Sequence, residues 1–380
     1  MNVLILSMTV GQGHNSASKA LAQYLEKKGH SYEIIDTYKF LNKVIGEAFD
    51  KGYTFMGRSI PKLNAIIYKD AEKVTRQAMK RYFPFAFSDL TKSKMQKYIE
   101  DMKPDVIVCP IIFSAVLLTQ MKEAGTLDPA IKLYGIVTDY GLHPFWEFTD
   151  MDYFVIANEL MIPAIEERGI PKEKLLPIGI PIREAFSTCV PKEIARDKLG
   201  LYQDKLTLLV TSGGRGFGAV DELVSQADKI DDVQIIAVCG TNFMLRHKLE
   251  AKKYRNPVHI FGYINNMDEY LDAADVIITK PGGLSTSEAV AKRKLLILTP
   301  PLPGVEDINL LFLINNSMAL FANKSLPLNE VLMQLVANED KMAELHKSCI
   351  KWGKPNSSRD LGEFIEQKYK EDFGLEQVAK

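Results

Sequence analysis

The residues best suited to acid–base chemistry are a histidine and an aspartate, each of which follows an apolar, strand-like run. His14 comes after residues 2–8 and a glycine turn, and Asp139 comes directly after Leu133–Thr138. Parallel α/β sheets bind ligands at the carboxyl ends of their strands, so both side chains are predicted to face a crevice. Either could take a proton from an acceptor hydroxyl, although a lone histidine at a helix start is commonly only hydrogen-bonded to backbone.

A second group of residues is suited to binding phosphate. After the apolar run Val276–Thr279, residues 280–283 read KPGG, and a Ser/Thr-rich segment then opens a helical pattern around Glu288. Glycines let backbone N–H groups approach a ligand, and a helix N-terminus adds unsatisfied donors and a positive dipole end. Glu288 lies near that helix start. Its negative charge is either stabilised by the helix dipole, or its carboxylate accepts hydrogen bonds from ribose hydroxyls beside a diphosphate.

Two further strand ends support the same chemistry. Residues 212–218, which read SGGRGFG, follow the strand-like run 206–211, and a proline-rich loop after Leu295–Thr299 is predicted to deliver Glu306, Asp307 and Asn309. Two glycine loops at strand ends together with a ribose-type acid indicate a site for a nucleotide diphosphate.

Strand and helix patterns alternate along most of the 380 residues, which exceed the usual size of one hydrophobic core. We therefore predict an α/β protein with two Rossmann-like domains facing a cleft. The first domain, residues 1–185, would carry the candidate bases, and the second, residues 186–350, would bind the nucleotide. A C-terminal helical segment, residues 351–380, could pack back on the first domain.

Composition excludes several classes of protein. A hydrophobic content of 46%, a charged content of 25% and a net charge of −1 indicate a soluble globular chain. The four cysteines lack CxxC spacing, which favours reduced thiols in the cytoplasm. The longest apolar run, residues 106–118, is too short to span a bilayer, so any membrane contact would be peripheral.

Resident cofactors and metals are also disfavoured. The first glycine turn has Ser16 where a dinucleotide fingerprint needs a third glycine, so the distance to Asp36 is weak support for NAD. Asp150 and Asp152 form a D-x-D pair, but they precede a strand and are better explained as strand-edge residues. No pair of histidines has ligand spacing, and we predict no metal and no cofactor.

Residues 51–103 differ from the rest of the chain because they combine aromatic residues with twelve basic and five acidic ones. Such segments are typical of interfacial helices that meet anionic lipid, and the alternative is a solvated helical hairpin with an ordinary core face. No fold signature supports nucleic-acid binding.

The motifs as an ordered set resemble one family. They are GxGH with Ser7 and Ala17, TDYxxHPFW at 138–146, GIPIRxxF at 179–186, SGGRGFG, FGYINNM at 261–267, TKPGGLSTSEA at 279–289 and PGVEDIN at 303–309. The set resembles the diacylglycerol glycosyltransferases, which include monogalactosyldiacylglycerol synthases and processive diacylglycerol glucosyltransferases. These are family 28 GT-B enzymes related to the lipid II N-acetylglucosaminyltransferase.

The resemblance implies a role for each matching residue. At the diphosphate it implies Gly213, Gly214, Gly282, Gly283 and Leu284, with Arg215 and Ser285 completing the donor-binding set. It implies that Glu288 accepts hydrogen bonds from the ribose hydroxyls and that Gly262 to Met267 flank the uracil. It further implies that Glu306 and Asn309 bind sugar hydroxyls or the diphosphate. His14, with Asp139 as its competitor, would be the catalytic base, and Gly13, His143 and Trp146 would contact the acceptor.

The implied reaction is inverting transfer of a hexose from a UDP-sugar to diacylglycerol or another lipid acceptor. It would take place at the inner face of the cell membrane, contacted through residues 51–103, by a cytoplasmic, peripheral protein. Val305 stands where the family usually has glutamine, which leaves the sugar open. A lipid II type transferase, a UDP-sugar epimerase or hydrolase, and a non-catalytic UDP-sugar-responsive regulator are the alternatives.

Overall fold

The computed structural model describes residues 1–8, 12–41, 75, 79–214, 216, 218–302, 304–372 and 374. The residues outside these ranges include Arg215 of the predicted donor set, Gly11 of the first glycine turn, and residues 51–74 and 76–78 of segment 51–103.

Two compact units divide the chain, Met1–Glu184 with Asn356–Lys380 and Ala185–Pro355. The first unit is a parallel sheet with helices. Its elements are β1 Asn2–Ser7, α1 Gln12–Lys27, β2 Ser31–Asp36, α2 Thr37–Leu41, α3 Met79–Tyr82, α4 Asp89–Met102, β3 Val106–Cys109, α5 Ile112–Glu123, β4 Lys132–Ile136, β5 Tyr153–Val155, α6 Ile162–Glu166 and β6 Leu175–Leu176.

The second unit repeats this architecture. Its elements are α7 Lys192–Leu199, β7 Leu206–Thr211, α8 Val220–Ala227, β8 Val233–Val238, α9 Phe243–Glu250, β9 Val258–Phe261, α10 Met267–Ala273, β10 Val276–Thr279, α11 Gly283–Ala291, β11 Leu295–Leu298, α12 Val305–Asn315, β12 Leu320–Phe321, α13 Leu328–Val336 and α14 Glu339–Trp352.

The last helix, α15 (Ser357–Asp372), belongs to the first unit and packs against α1. Glu366 of α15 accepts a hydrogen bond from the Tyr24 hydroxyl at 3.1 Å and lies 3.0 Å from Nε2 of His30. The functional roles assigned above to the domains remain predictions.

Strand order explains where each sheet can bind a ligand. The first sheet runs β2-β1-β3-β4-β5-β6 and the second runs β12-β11-β10-β7-β8-β9, with every described pairing parallel. In the first sheet, β1 lies between β2 and β3, so the connections that leave it run in opposite directions. Such a switch point opens a crevice at the carboxyl ends of the strands.

The sheets are the centre of each core. β3, β10 and β11 are buried along their whole length, which is why they read as continuous apolar runs. The predicted α/β class with two Rossmann-like domains is confirmed. Within the described ranges, no helix combines the length and the apolar character needed to cross a membrane.

Candidate active site

The two predicted phosphate-binding loops lie side by side in the second unit. β7 ends at Thr211 and β10 at Thr279, and these strands are neighbours paired in register. Because parallel strands present their carboxyl ends at one sheet edge, the glycine-rich segments that follow them are adjacent. The structure thus brings together loops that are about 65 residues apart in the sequence.

The loop after β7 needs glycine mainly because it packs closely against the loop after β8. Gly216 has φ +62°, and a Cβ there would stand 2.1 Å from the carbonyl oxygen of Cys239. Gly240 has φ +56°, and its Cβ would stand 2.3 Å from the carbonyl oxygen of Gly214. These two glycines let the loops after β7 and β8 make contact, whereas a Cβ on Gly213 would meet only Cε of Lys280, at 3.8 Å.

The second loop leads directly into α11. Gly282 is the N-cap, and α11 begins at Gly283, so Leu284 and Ser285 are in its first turn. The N–H groups of that turn have no acceptor within the helix and are available to an anion. The sequence prediction of a helix opening around Glu288 was therefore wrong by about a turn. Glu288 is half-buried in the second turn, beyond the immediate helix end.

Lys280 is the residue that sequence reasoning missed. Its ammonium forms an ion pair with Glu306, and both side chains are largely buried, at 21% and 12% exposure. Lys280 lies between the two loops, since its Cε is near Gly213 and its Nζ is 3.6 Å from where a Cβ on Gly282 would be. The sequence did contain a signal for Lys280, because it is a single cationic residue between the end of a predicted strand and the two glycines of the predicted phosphate loop.

Glu306 and Asn309 lie on a helix rather than in the loop from which the sequence predicted them. α12 begins at Val305, and Gly304 N donates to Oδ2 of Asp307 at 2.8 Å, which caps the helix. Asn309 is fully buried, and its amide nitrogen donates to the carbonyl of Pro281 at 3.0 Å. Asn309 thereby holds the turn that precedes α11.

Residues 262–267 follow β9 at the same sheet edge. Gly262 directly follows the strand, and Met267 is the first residue of α10. Nδ2 of Asn266 donates to Glu269 at 2.9 Å, which fixes the turn before the helix. A Cβ on Gly262 would be 3.6 Å from the guanidinium of Arg246.

His14 lies at the switch point of the first sheet. It is in the first turn of α1, one residue after Gly13, and its Nδ1 is 3.1 Å from Oγ1 of Thr138, which follows β4. Burial lowers the pKa of His14, against the opposing effect of a hydrogen bond to the carbonyl of Pro110, which follows β3. A partly buried, neutral imidazole in a crevice is equipped to accept a proton.

The other predicted residues of the first unit have different environments. Asp139 is half-buried beside Thr138. His143 is the N-cap of the 3₁₀ helix Pro144–Phe148, where its Nδ1 accepts from Phe145 N at 3.3 Å, and burial and nearby Arg168 lower its pKa to about 4. The structure places Trp146 in the core, since it is 3% exposed and packs on Phe154.

The contacts of Asp150 and Asp152 agree with the strand-edge explanation of the D-x-D pair. Asp150 pairs with Lys122 at 2.9 Å, and Asp152 accepts from Leu133 N at 2.8 Å, so the D-x-D pair serves the strand edge. In the part of the chain that the structure covers, no cluster of three or more His, Cys, Asp or Glu side chains is arranged to hold a metal ion.

Residue 75 and residues 79–103 of the basic, aromatic segment are described. Tyr82 and Phe83 pack against Phe145, with ring centroids 5.1 and 5.0 Å apart, as in an ordinary core face. Leu90, in contrast, is 82% exposed in the first turn of α4.

Comparison with known proteins agrees with this geometry. Residues 14–182 match the monogalactosyldiacylglycerol (MGDG) synthase family, and residues 207–320 match the glycosyltransferase family 28 C-terminal domain. A processive diacylglycerol beta-glucosyltransferase of Bacillus licheniformis is 29% identical over 96% of this chain and 95% of its own. One from Bacillus cereus strain AH187 is 28% identical over 82% of this chain and 79% of its own.

Solved structures share the fold at low identity. MurG of Acinetobacter baumannii superposes with a TM-score of 0.60 at 15% identity, covering 96% of this chain and 99% of MurG. The UDP-GlcNAc 2-epimerase of Neisseria meningitidis bound to UDP-GlcNAc has a TM-score of 0.58 at 13% identity, with 97% and 100% coverage. The fold together with the glycosyltransferase family 28 match indicates a glycosyltransferase of the GT-B class. More specifically, the two family matches follow one another along the chain and the relatives are named diacylglycerol glucosyltransferases, so the chain is similar to the diacylglycerol glycosyltransferases.

Proposed function

We propose that this enzyme transfers a hexose from a UDP-sugar to the free hydroxyl of diacylglycerol, with inversion at the sugar carbon. The observation that carries the proposal is the presence of both family domains in one chain, with 28–29% identity to enzymes named diacylglycerol glucosyltransferases.

The donor would bind at the sheet edge of the second unit. The diphosphate would contact the first-turn N–H groups of α11 and the loop at Gly213 and Gly214, and Glu288 would accept from the ribose. As the sugar–oxygen bond breaks, negative charge grows on the departing UDP. Lys280 and the N–H donors are placed to stabilise that charge, the kind of preorganised electrostatics that dominates many enzymatic accelerations.

The acceptor hydroxyl would lose its proton to His14. The acceptor oxygen attacks the anomeric carbon as the bond to UDP breaks, and the proton passes to the neutral imidazole. Thr138 and the carbonyl of Pro110 would orient the ring. Asp139, one residue from Thr138, is the competing base, and His143 and Gly13 remain candidate acceptor contacts.

Diacylglycerol resides in a bilayer, so the enzyme must reach a membrane surface. We propose that it does so peripherally, at the inner face of the cell membrane, with residues 51–103 against anionic lipid. The exposed Leu90 and the basic side chains of Lys80 and Arg81 support this for the described part of the segment.

UDP release from a panel of UDP-sugars, with and without diacylglycerol vesicles, tests the proposal. We expect release from one sugar that requires lipid and persists in EDTA, which would also settle the donor that Val305 leaves open. Release that ignores lipid would favour an epimerase or hydrolase, and release only with an undecaprenyl-linked acceptor would favour the lipid II type.

A further inference from the structure

The first turn of α9, in the second unit, exposes two large apolar side chains. Phe243 and Met244 are 69% and 70% exposed, although they are neighbours in one turn. The helix itself is firmly anchored, since Leu245 and Leu249 are 8% and 0% exposed and pack in the core. Loose packing of α9 therefore does not account for the exposure.

The same segment is strongly basic. Residues 243–255 contain five Lys and Arg residues and one acidic residue, in a chain whose net charge is −1. Three of the cations pair with carboxylates, namely Arg246 with Glu250, Lys248 with Asp221 and Arg255 with Asp231. Glu250 and Asp231 are exposed, and Asp221 is half-buried, while all three cations lie at the surface. Ion pairs at the surface contribute little to stability, so these cations can exchange their partners for other anions.

The surface is continuous with the sheet edge that carries the predicted donor site. The guanidinium of Arg246 approaches Gly262, and the next residue, Tyr263, is 57% exposed. We call Phe243, Met244, Arg246, Lys248 and Lys253 the α9 surface. It combines apolar side chains at one end with cations behind them, the pattern by which interfacial helices meet anionic lipid.

We propose that the α9 surface is a membrane-docking site of the second unit, in addition to the segment 51–103 of the first. Phe243 and Met244 enter the interfacial layer of the bilayer, and the cations bind anionic headgroups. The charge of the surface selects this occupant, and two side chains on one turn offer far less than the roughly 800 Å² per partner of a stable protein interface. The inference rests on the proposed function only in that the acceptor is a bilayer lipid.

Vesicle co-sedimentation of the full-length protein tests the proposal. The variant carries Phe243→Ser and Met244→Ser, and the matched control carries Met333→Ser and Val336→Ser on α13, where the side chains are 54% and 51% exposed. The vesicles are phosphatidylcholine with roughly 30% phosphatidylglycerol, whose anionic headgroups attract basic segments. On these vesicles we expect the α9 variant to bind at least tenfold more weakly than wild type. The control should bind as wild type does, and all three should bind pure phosphatidylcholine weakly.

Unchanged binding of the α9 variant, or an equal loss in the control, would overturn the proposal. So would a wild-type dimer that the α9 variant converts to a monomer in light scattering, because the surface would then be an interface between copies. A Phe243→Trp variant adds a direct measurement, since insertion blue-shifts its emission on anionic vesicles and an unchanged spectrum contradicts insertion.

Activity assays separate this inference from the proposed function. With a short-chain diacylglycerol dispersed below its micelle concentration, the α9 variant should release UDP at the wild-type rate, because Phe243 and Met244 take no part in the chemistry. With vesicle-embedded diacylglycerol its rate should fall with its binding. If the wild-type protein releases no UDP, the proposed function is contradicted. The vesicle-binding result would still decide whether the α9 surface binds membranes.

Discussion

Lys280 and Glu306 form a largely buried ion pair between the end of β10 and the first turn of α12. The second carboxylate oxygen of Glu306 is also engaged, since it accepts from Leu302 N at 2.8 Å. Lys280 is thus held by Glu306 between the two glycine loops. An arriving diphosphate would share this cation with Glu306 or displace the carboxylate toward the sugar.

Replacing Lys280 by glutamine should reduce kcat by about 10²- to 10³-fold, the usual cost of removing one preorganised charge-stabilising group. The physical reason is that, in the proposed donor site, the ammonium of Lys280 would lie beside the departing diphosphate. Steady-state UDP release against donor concentration measures the effect.

Lys280→Gln also leaves Glu306 partly buried without its counter-charge, so stability should fall too. The double variant Lys280→Gln/Glu306→Gln is the control, because it removes both charges. It should recover stability in urea unfolding without recovering kcat. Recovery of kcat would show that Lys280 acts only by neutralising Glu306.

Gly240→Ala should weaken donor binding although Gly240 lies outside the predicted donor set. Its Cβ would collide with the backbone of Gly214, so the loop after β7 would have to move. Gly200→Ala is the matched control, with φ +66° and no atom within 4 Å of its Cβ, so it carries only the left-handed strain of about 1–2 kcal/mol. Calorimetric titration with UDP should show weaker binding for Gly240→Ala alone, and equal affinities would contradict the packing argument.

These residues also show how far the sequence reaches. The strand Val276–Thr279 was predicted with its observed bounds, because a buried parallel strand reads as a short apolar run. The start of α11 was missed, since Ser285 and Thr286 look like loop residues until the structure shows Oγ1 of Thr286 bonded back to the Gly282 carbonyl at 2.9 Å. Local patterns thus locate elements better than they locate helix ends.

Local sequence patterns could not predict contacts between residues that are far apart in the chain. The Lys280–Glu306 pair spans 26 residues, and it exists only once β10, α11 and β11 are folded. The contact of Trp146 with the acceptor stays a prediction, but its burial was not foreseen: Gly135 on β4 leaves room for its ring, since a Cβ there would stand 2.8 Å from it. Asn309 likewise turns inward to Pro281. Each case depends on a partner that the sequence pattern does not reveal.

The pH dependence of turnover tests His14. Burial lowers its pKa below the ordinary 6.5, so the imidazole is neutral at pH 7 and kcat should fall only as pH drops through the lowered pKa. His14→Ala should reduce kcat by about 10²- to 10⁴-fold, the usual contribution of a general base. The variant should also lose the acid limb of the pH profile, which is the fall of kcat at low pH. Asp139→Asn is the comparison, and an acid limb that survives in His14→Ala but vanishes in Asp139→Asn would make Asp139 the base.

The first unit should become less stable as the pH is lowered, because of the titration of His143. Burial and the charge of Arg168 lower the pKa of His143 to about 4, against 6.5 in the unfolded chain. Between those values the unfolded chain binds a proton that the folded one does not, so stability decreases from pH 6.5 to about 4 and levels off below. His143→Asn keeps a side-chain acceptor for Phe145 N but does not titrate.

The urea midpoint of His143→Asn should therefore change less between pH 7 and 5 than that of wild type, while the two proteins are similar at pH 7. His143→Ala separates the cap from the charge, because it should lose roughly 0.5–2 kcal/mol at every pH along with the hydrogen bond. Parallel pH curves for wild type and His143→Asn would mean that His143 protonates freely in the folded state, through an opening of the 3₁₀ helix Pro144–Phe148 that relieves its burial.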